Sequence, residues 1–441
     1  MWTVIKKYGA EVYRDLLSIA VFLIAALTGG ETERIAPFAV AMVLLLCGGL
    51  LVLRSTRYLT LPFLFLSLLL IFCYDSYSVF IRYIWLLPIA VVSLVVYLVR
   101  KKPPLARGAS LLPLVLVSAA TLLGGIGMIS PEDYFRPASL VFMAGLGPGL
   151  ILSYWIMKNE LKDACDRDWL LGDLLRWGLV AAAIVFYYTI PTLVQEKRFY
   201  LLLVPQWSNN VATMLMIALP ASLAVKRRRF YHHIFALLMF LATALIGSRG
   251  GQLFVGVELL VCYFLVWRSE TDRVKRIWSR ILFVCALIVV GCLMGTILHK
   301  TMLGDFLHDG EARWKLLARG FSDFLENPLF GSGIGYRGNA DVYHGKQGTI
   351  IWYHIFISQV VGGLGICGIL AWGYQLYVRA QLAWRARRSH MVWLALCYFG
   401  LFLMSMVNPG EFCPVPYAFL AVCLFAALEN HVEQHPINET V

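Results

Sequence analysis

The chain has 441 residues, of which 60% are hydrophobic and 15% charged, and its mean hydropathy is +0.72. A soluble globular chain is about half apolar and about a quarter charged, so this composition excludes one and describes a polytopic membrane protein. The formal net charge of +12 resolves below into loop charges that orient the chain in a bilayer, which leaves no place for nucleic acid as a partner.

Lys6, Lys7 and Arg14 lead into a first apolar run without a small-x-small exit, so the N-terminal helix reads as an uncleaved anchor. Fourteen apolar runs approach the roughly twenty residues needed to cross a hydrocarbon core. They cover about 14–30, 35–53, 58–73, 79–99, 109–128, 138–157, 173–194, 208–225, 231–247, 250–267, 277–298, 352–378, 391–407 and 414–430. Their continuity, without a period of two, argues against a transmembrane β-barrel. The third, ninth and tenth are short. The expected architecture is therefore an all-α polytopic membrane helical bundle of about 12–14 transmembrane helices. The ten cysteines fall mostly inside these runs and form no CxxC pair, so they read as small membrane residues rather than a disulfide framework or a zinc site.

Short cytoplasmic loops retain Lys and Arg. With the N-terminus inside, alternate loops carry Lys6/Lys7/Arg14, Arg54/Arg57, Arg100/Lys101/Lys102/Arg107, Lys158/Lys162/Arg167/Arg176, Lys226/Arg227/Arg228/Arg229, Arg268/Arg273/Lys275/Arg276/Arg280 and Arg379/Arg385/Arg387/Arg388, which is 26 of the 38 basic residues. That pattern predicts an even number of spans and both termini in the cytoplasm. It divides the chain into N-terminal transmembrane helices 1–200, helices 201–298, one large extracytoplasmic loop 299–351, and C-terminal helices with a short tail 352–441.

Twelve cations are left unexplained by topology: Arg34, Arg82, Arg136, Lys197, Arg198, Arg249, Lys300, Arg313, Lys315, Arg319, Arg337 and Lys346. A cation at membrane depth is costly and usually faces a cavity, a partner or a substrate. Arg82 stands near the outer start of the fourth run. Arg249 sits in Gly247-Ser248-Arg249-Gly250-Gly251, between two apolar runs. It has two readings: an interfacial arginine capping a tight outer turn, or an anion site in which a guanidinium and unpaired backbone N–H groups meet a phosphate.

The loop 299–351 holds Asp309-Gly310-Glu311-Ala312-Arg313-Trp314, and the spacing of Trp314, Leu316, Leu317, Phe321, Phe324 and Leu325 predicts an amphipathic helix on the outer surface. Arg313 and Arg319 flank this pattern. Next comes Asn327-Pro328-Leu329-Phe330-Gly331-Ser332-Gly333-Ile334-Gly335, where alternate glycines after a proline indicate a tight turn against something. Trp352-Tyr353-His354 ends the loop where an apolar helix resumes. His354 is either a histidine bonded at a helix start or a general base, since neutral imidazole accepts protons near physiological pH. His299, His308 and His344 are rival bases on the same loop.

Together, Gly247-Ser248-Arg249-Gly250, the Asp309 to Trp314 stretch, the Asn327 to Gly335 turn, and His354 leading into Gly362-Gly363-Leu364-Gly365-Ile366-Cys367-Gly368 resemble the bacterial O-antigen ligase and polymerase superfamily. The resemblance spans about residues 205 to 380, and Asn209-Asn210-Val211-Ala212 is similar to the asparagine-bearing helix start that precedes the arginine turn in that family. It implies a GT-C-like membrane glycosyltransferase that moves a glycan from undecaprenyl pyrophosphate onto an acceptor hydroxyl of a glycan, lipid or protein, with inversion and without a metal or other cofactor. Matched residue by residue, Arg249 and Arg313 would hold the pyrophosphate and His354 would activate the acceptor, with Arg82, Arg319, Arg337 and Asn209 as further substrate contacts. The family often has Asn after the histidine, where this chain has Ile355. The resemblance further implies a site on the extracytoplasmic face of a bacterial cytoplasmic membrane. It leaves ligase and polymerase open.

Two other classes fit less well. A metal-dependent polyprenyl-phosphate glycosyltransferase needs paired carboxylates in an early outer loop, where Glu31 and Glu33 occupy a loop of only about five residues. A lipid-linked glycan transporter is expected to be built from internal repeats, and the sequence shows none.

Overall fold

The computed structural model describes residues 2–53, 55–73, 79, 82–135, 137–196, 205–224, 229–297, 306–334 and 353–435. All regular structure among them is helical. The helices are α1 (Trp2–Thr28), α2 (Thr32–Val52), α3 (Arg57–Phe72), α4 (Leu86–Lys101), α5 (Leu111–Leu123), α6 (Pro131–Tyr134), α7 (Pro137–Leu146), α8 (Pro148–Glu160), α9 (Ala164–Glu196), α10 (Pro205–Leu223), α11 (Phe230–Leu245), α12 (Arg249–Ser269), α13 (Arg273–Ile297), α14 (Phe306–Glu326), α15 (Phe356–Ala386), α16 (Val392–Ser405) and α17 (Phe419–Gln434). Each of the fourteen apolar runs coincides with one of these or, for 138–157, with the pair α7 and α8. Among the described residues, six stretches are long and apolar enough to cross a membrane, and four shorter apolar helices accompany them. The chain is a polytopic helical membrane protein.

The helices fall into two compact units, Met1–Pro104 with Asn159–Val255, and Leu105–Lys158 with Gly256–Val441. In the first, α10 packs against α9 and α11, while α9 also covers α1 and α3. Two loop cations counted as topology signals act here as ties. Arg14 pairs with Asp173 at 2.6 Å and stacks on Trp169, and the half-buried Arg57 reaches Asp166 at 2.8 Å. Burial makes the Arg14–Asp173 pair matter to the fold, because removing one partner strands a charge away from water.

In the second unit, α15 is the central element, packed on α5, α14 and α17. The apolar run 352–378 predicts one uninterrupted helix, and the structure corrects that. Gly365 has φ +60° and ψ −154°, so the helix is broken into residues 356–364 and 366–386. The break brings Phe356 and Trp372 edge to face at 5.4 Å, a contact that sixteen residues of straight helix would hold about 24 Å apart.

The turn 327–334 supplies the partners that the broken backbone lacks. Gly362 and Gly363 carbonyls accept from the Ser332 and Gly333 amides, both at 2.8 Å. On the other side of the break, the Ile366 and Cys367 amides donate to the Pro328 and Leu329 carbonyls at 2.8 and 3.2 Å. The two glycine-rich motifs are thus one structure, in which helix-end groups are satisfied by a docked turn. Gly331, at φ +62°, lets the turn approach: a β-carbon there would stand 2.4 Å from the Gly362 carbonyl oxygen.

A second correction concerns Arg379, which the charge pattern puts in a cytoplasmic loop. It is buried within α15, with Nη1 2.5 Å from Glu411 and 2.7 Å from the Tyr398 hydroxyl. Glu411 belongs to the segment between the last two apolar runs. A guanidinium inside the bundle needs this carboxylate, and residues 410–418 pack among α15, α16 and α17.

Candidate functional site

The predicted site residues divide between the two units. In the first, Gly247 at φ +80° ends α11 and Ser248 caps α12, its hydroxyl accepting from the Gly251 amide at 3.1 Å. The same hydroxyl donates to Asn209 Oδ1 at 2.7 Å. Asn209 thereby clamps the arginine turn to the start of α10, and Arg249 becomes the first residue of α12. Of Arg249, as of Arg313 and His308 on α14, the structure describes the backbone alone. Arg82, also in this unit, is exposed and pairs with Glu33 at 2.6 Å.

In the second unit, α14 is the helix that carries the amphipathic pattern of the loop sequence. Leu316, Gly320 and Asp323 turn inward, whereas Trp314 and Leu325 are 63% and 75% exposed. Gly320 permits a close crossing of α15, since a β-carbon there would stand 2.8 Å from Ser358 Cβ. Asp323, 1% exposed, accepts the Tyr353 hydroxyl. Ser332 Oγ lies 2.7 Å from the same hydroxyl and 3.2 Å from the Gly362 carbonyl. The Tyr353 amide donates to Gln359 Oε1 at 3.3 Å. Burial, and after it the negative charge of Asp323, push the Tyr353 phenol well above its ordinary range, so it stays a donor.

His354 follows directly and is half-buried, with φ +55°. A non-glycine residue in the left-handed region costs on the order of 1–3 kcal/mol and persists only where its surroundings over-determine it; such residues concentrate at functional sites. Arg319, half-buried one helical turn before Asp323, also acts electrostatically on Tyr353. His354 thus adjoins the Tyr353 cluster in the chain, and Arg319 lies one turn from Asp323 on α14. Arg337, His299 and His344 lie outside the described residues. Among the described residues, no group of three or more His, Cys, Asp or Glu side chains could hold a metal ion.

Sequence reading missed Asp323, Ser332 and Gln359 as members of this cluster. One signal was present: at i, i+4 and i+7, Leu316, Gly320 and Asp323 form a stripe on which an acid is out of place. The chain matches, over residues 234–373, the family model described as O-antigen ligase. That segment runs from α11 through the arginine turn, α14 and His354 to just beyond the break in α15, and Asn209 lies upstream of it. No curated protein matches the chain.

Proposed function

We propose, from the match of residues 234–373 to the O-antigen ligase family model, that this protein transfers a glycan from undecaprenyl pyrophosphate to an acceptor hydroxyl at the extracytoplasmic face of a bacterial cytoplasmic membrane, with both termini in the cytoplasm. The observation that carries the reading is His354, held at φ +55° beside a buried polar cluster within the matched segment. Its imidazole takes the proton from the acceptor hydroxyl. The freed oxygen attacks the anomeric carbon from the face opposite the leaving group, the bond from that carbon to the pyrophosphate oxygen breaks, and undecaprenyl pyrophosphate departs with inversion at the sugar. The hydroxyl is a poor nucleophile and needs the base, whereas pyrophosphate is a good leaving group and needs charge stabilisation.

Arg249 and Arg313 supply that charge, their planar forks matching phosphate oxygens. Asn209 acts through Ser248 by holding the arginine turn, and Arg82, Arg319 and Arg337 are secondary contacts to the donor. The polyprenyl tail stays in the bilayer while the glycan projects outward, which places the chemistry at a membrane surface.

Deleting the gene and comparing surface glycans tests the assignment. Full-length chains stranded on undecaprenyl pyrophosphate are the expected result; shortened chains on a normally capped acceptor would move the reading to a polymerase of the same superfamily. With purified protein and a synthetic donor, Arg249→Lys and Arg313→Lys keep the charge but lose bidentate geometry, and each is expected to lower turnover by about 10² or more. Normal donor binding and turnover in both variants would remove the arginines from the site.

A further inference from the structure

Tyr353 is fixed from three directions, by two elements distant in sequence and one close to it. Asp323 comes from α14, Ser332 from the turn docked on the helix break, and Gln359 from the first half of α15. The side chains of Asp323, Ser332 and Gln359 are all buried, as is Tyr353 itself. The Tyr353 phenol donates to Asp323, and Ser332 Oγ lies 2.7 Å from the phenol oxygen, so the two hydroxyls and the carboxylate form one network. Ser332 is in turn locked by its own backbone bond to Gly362 at 2.8 Å. Such a network fixes both the ring and the amide of residue 353, and so fixes where the next residue begins. That next residue is the histidine in the left-handed backbone region.

We propose that Asp323, Tyr353 and Ser332 are positioning residues for His354: their hydrogen bonds hold the 353–354 peptide so that the imidazole is presented in one place while its backbone stays left-handed. The inference rests on the reading of His354 as the base. It adds three residues that touch neither donor nor acceptor. The contribution is geometric, so it needs an acceptor at position 323 and a hydroxyl at position 353, and does not need a charge at 323. A misplacement of about 1 Å at a reacting group can cost on the order of 10² in rate, so the effect belongs in turnover rather than in donor affinity.

The test uses the full chain, purified in detergent, with a synthetic undecaprenyl-pyrophosphate glycan, reading kcat, donor KM and thermal midpoint for each variant. Tyr353→Phe keeps the ring and is expected to lower kcat by roughly 10- to 100-fold, with donor KM changed by no more than about twofold. Asp323→Ala should do the same, while Asp323→Asn, which still accepts the phenol, should keep kcat to within about threefold. That rescue separates positioning from simple loss of stability. Should Tyr353→Phe fail to fold, Ser332→Ala gives the reading, again as lower kcat at unchanged KM. Wild-type kcat in Tyr353→Phe or Ser332→Ala, alongside an inactive His354→Ala, overturns the positioning role and leaves the base in place. Asp323→Asn losing as much as Asp323→Ala overturns the geometric account. A fully active His354→Ala overturns the base assignment and the positioning role with it.

Discussion

Replacing His354 by alanine is expected to lower glycan transfer by roughly 10² to 10⁴, the usual cost of a lost general base, and to leave donor binding intact. Alanine is also strained at φ +55°, so the loss in that variant mixes chemistry with conformation. His354→Asn separates them, since asparagine adopts the left-handed region more readily than other side chains yet cannot take a proton near neutral pH. The expected result is an equally inactive His354→Asn whose thermal midpoint matches the unmodified protein and whose binding of the undecaprenyl-pyrophosphate donor is unchanged. Transfer at the unmodified rate in His354→Asn would end the assignment and turn attention to His299, His308 and His344.

Gly365→Ala is the substitution with the largest expected effect on the fold. The pair φ +60°, ψ −154° lies in a region open almost only to glycine, at a cost to alanine of about 1–3 kcal/mol. The added β-carbon would also stand 2.5 Å from the Pro328 carbonyl oxygen and 2.6 Å from the Leu329 carbonyl carbon, which are backbone atoms and cannot rotate away. Relief requires the turn 327–334 to lift from the helix break, and its four backbone hydrogen bonds go with it. Hydrogen exchange should find the amides of Ser332, Gly333, Ile366 and Cys367 protected in the unmodified protein and exchanging in Gly365→Ala, with a lowered thermal midpoint and little transfer. Gly373→Ala, on the same helix and meeting nothing within 4 Å, should leave protection unchanged. Equal protection in Gly365→Ala and the unmodified chain would show that the docked turn does not depend on the break.

Much of this was legible in the residues themselves. Apolar runs of bilayer length locate the helices because a backbone in hydrocarbon has to satisfy its own hydrogen bonds, and helix is the local way to do so. The Gly247 to Gly251 turn and the α14 segment were readable for similarly local reasons, namely glycine at a helix boundary and side chains at helical spacing. The match to the O-antigen ligase family model covers the motifs from Gly247 to Gly368 that carry the resemblance, and not Asn209.

What remained hidden depends on partners distant in sequence. Gly365 sits among small residues that pack equally well in an unbroken membrane helix, and only the docking of Pro328 and Leu329 makes the break satisfiable. The inward face of α14 was not legible, because an apolar stripe points to the core only when the alternative is water. In a membrane protein Trp314, Phe321 and Leu325 can face outward, and the buried stripe is the one carrying Gly320 and Asp323. Arg379 reads as a loop cation until Glu411 is seen 2.5 Å away. The sequence by itself determined which segments are helices, since those follow from local hydrogen bonding and side-chain type. Tertiary structure decided that the helix at His354 breaks, and that Asp323, Ser332 and Gln359 converge on Tyr353, because a buried polar group is stable only where distant segments bring it a partner.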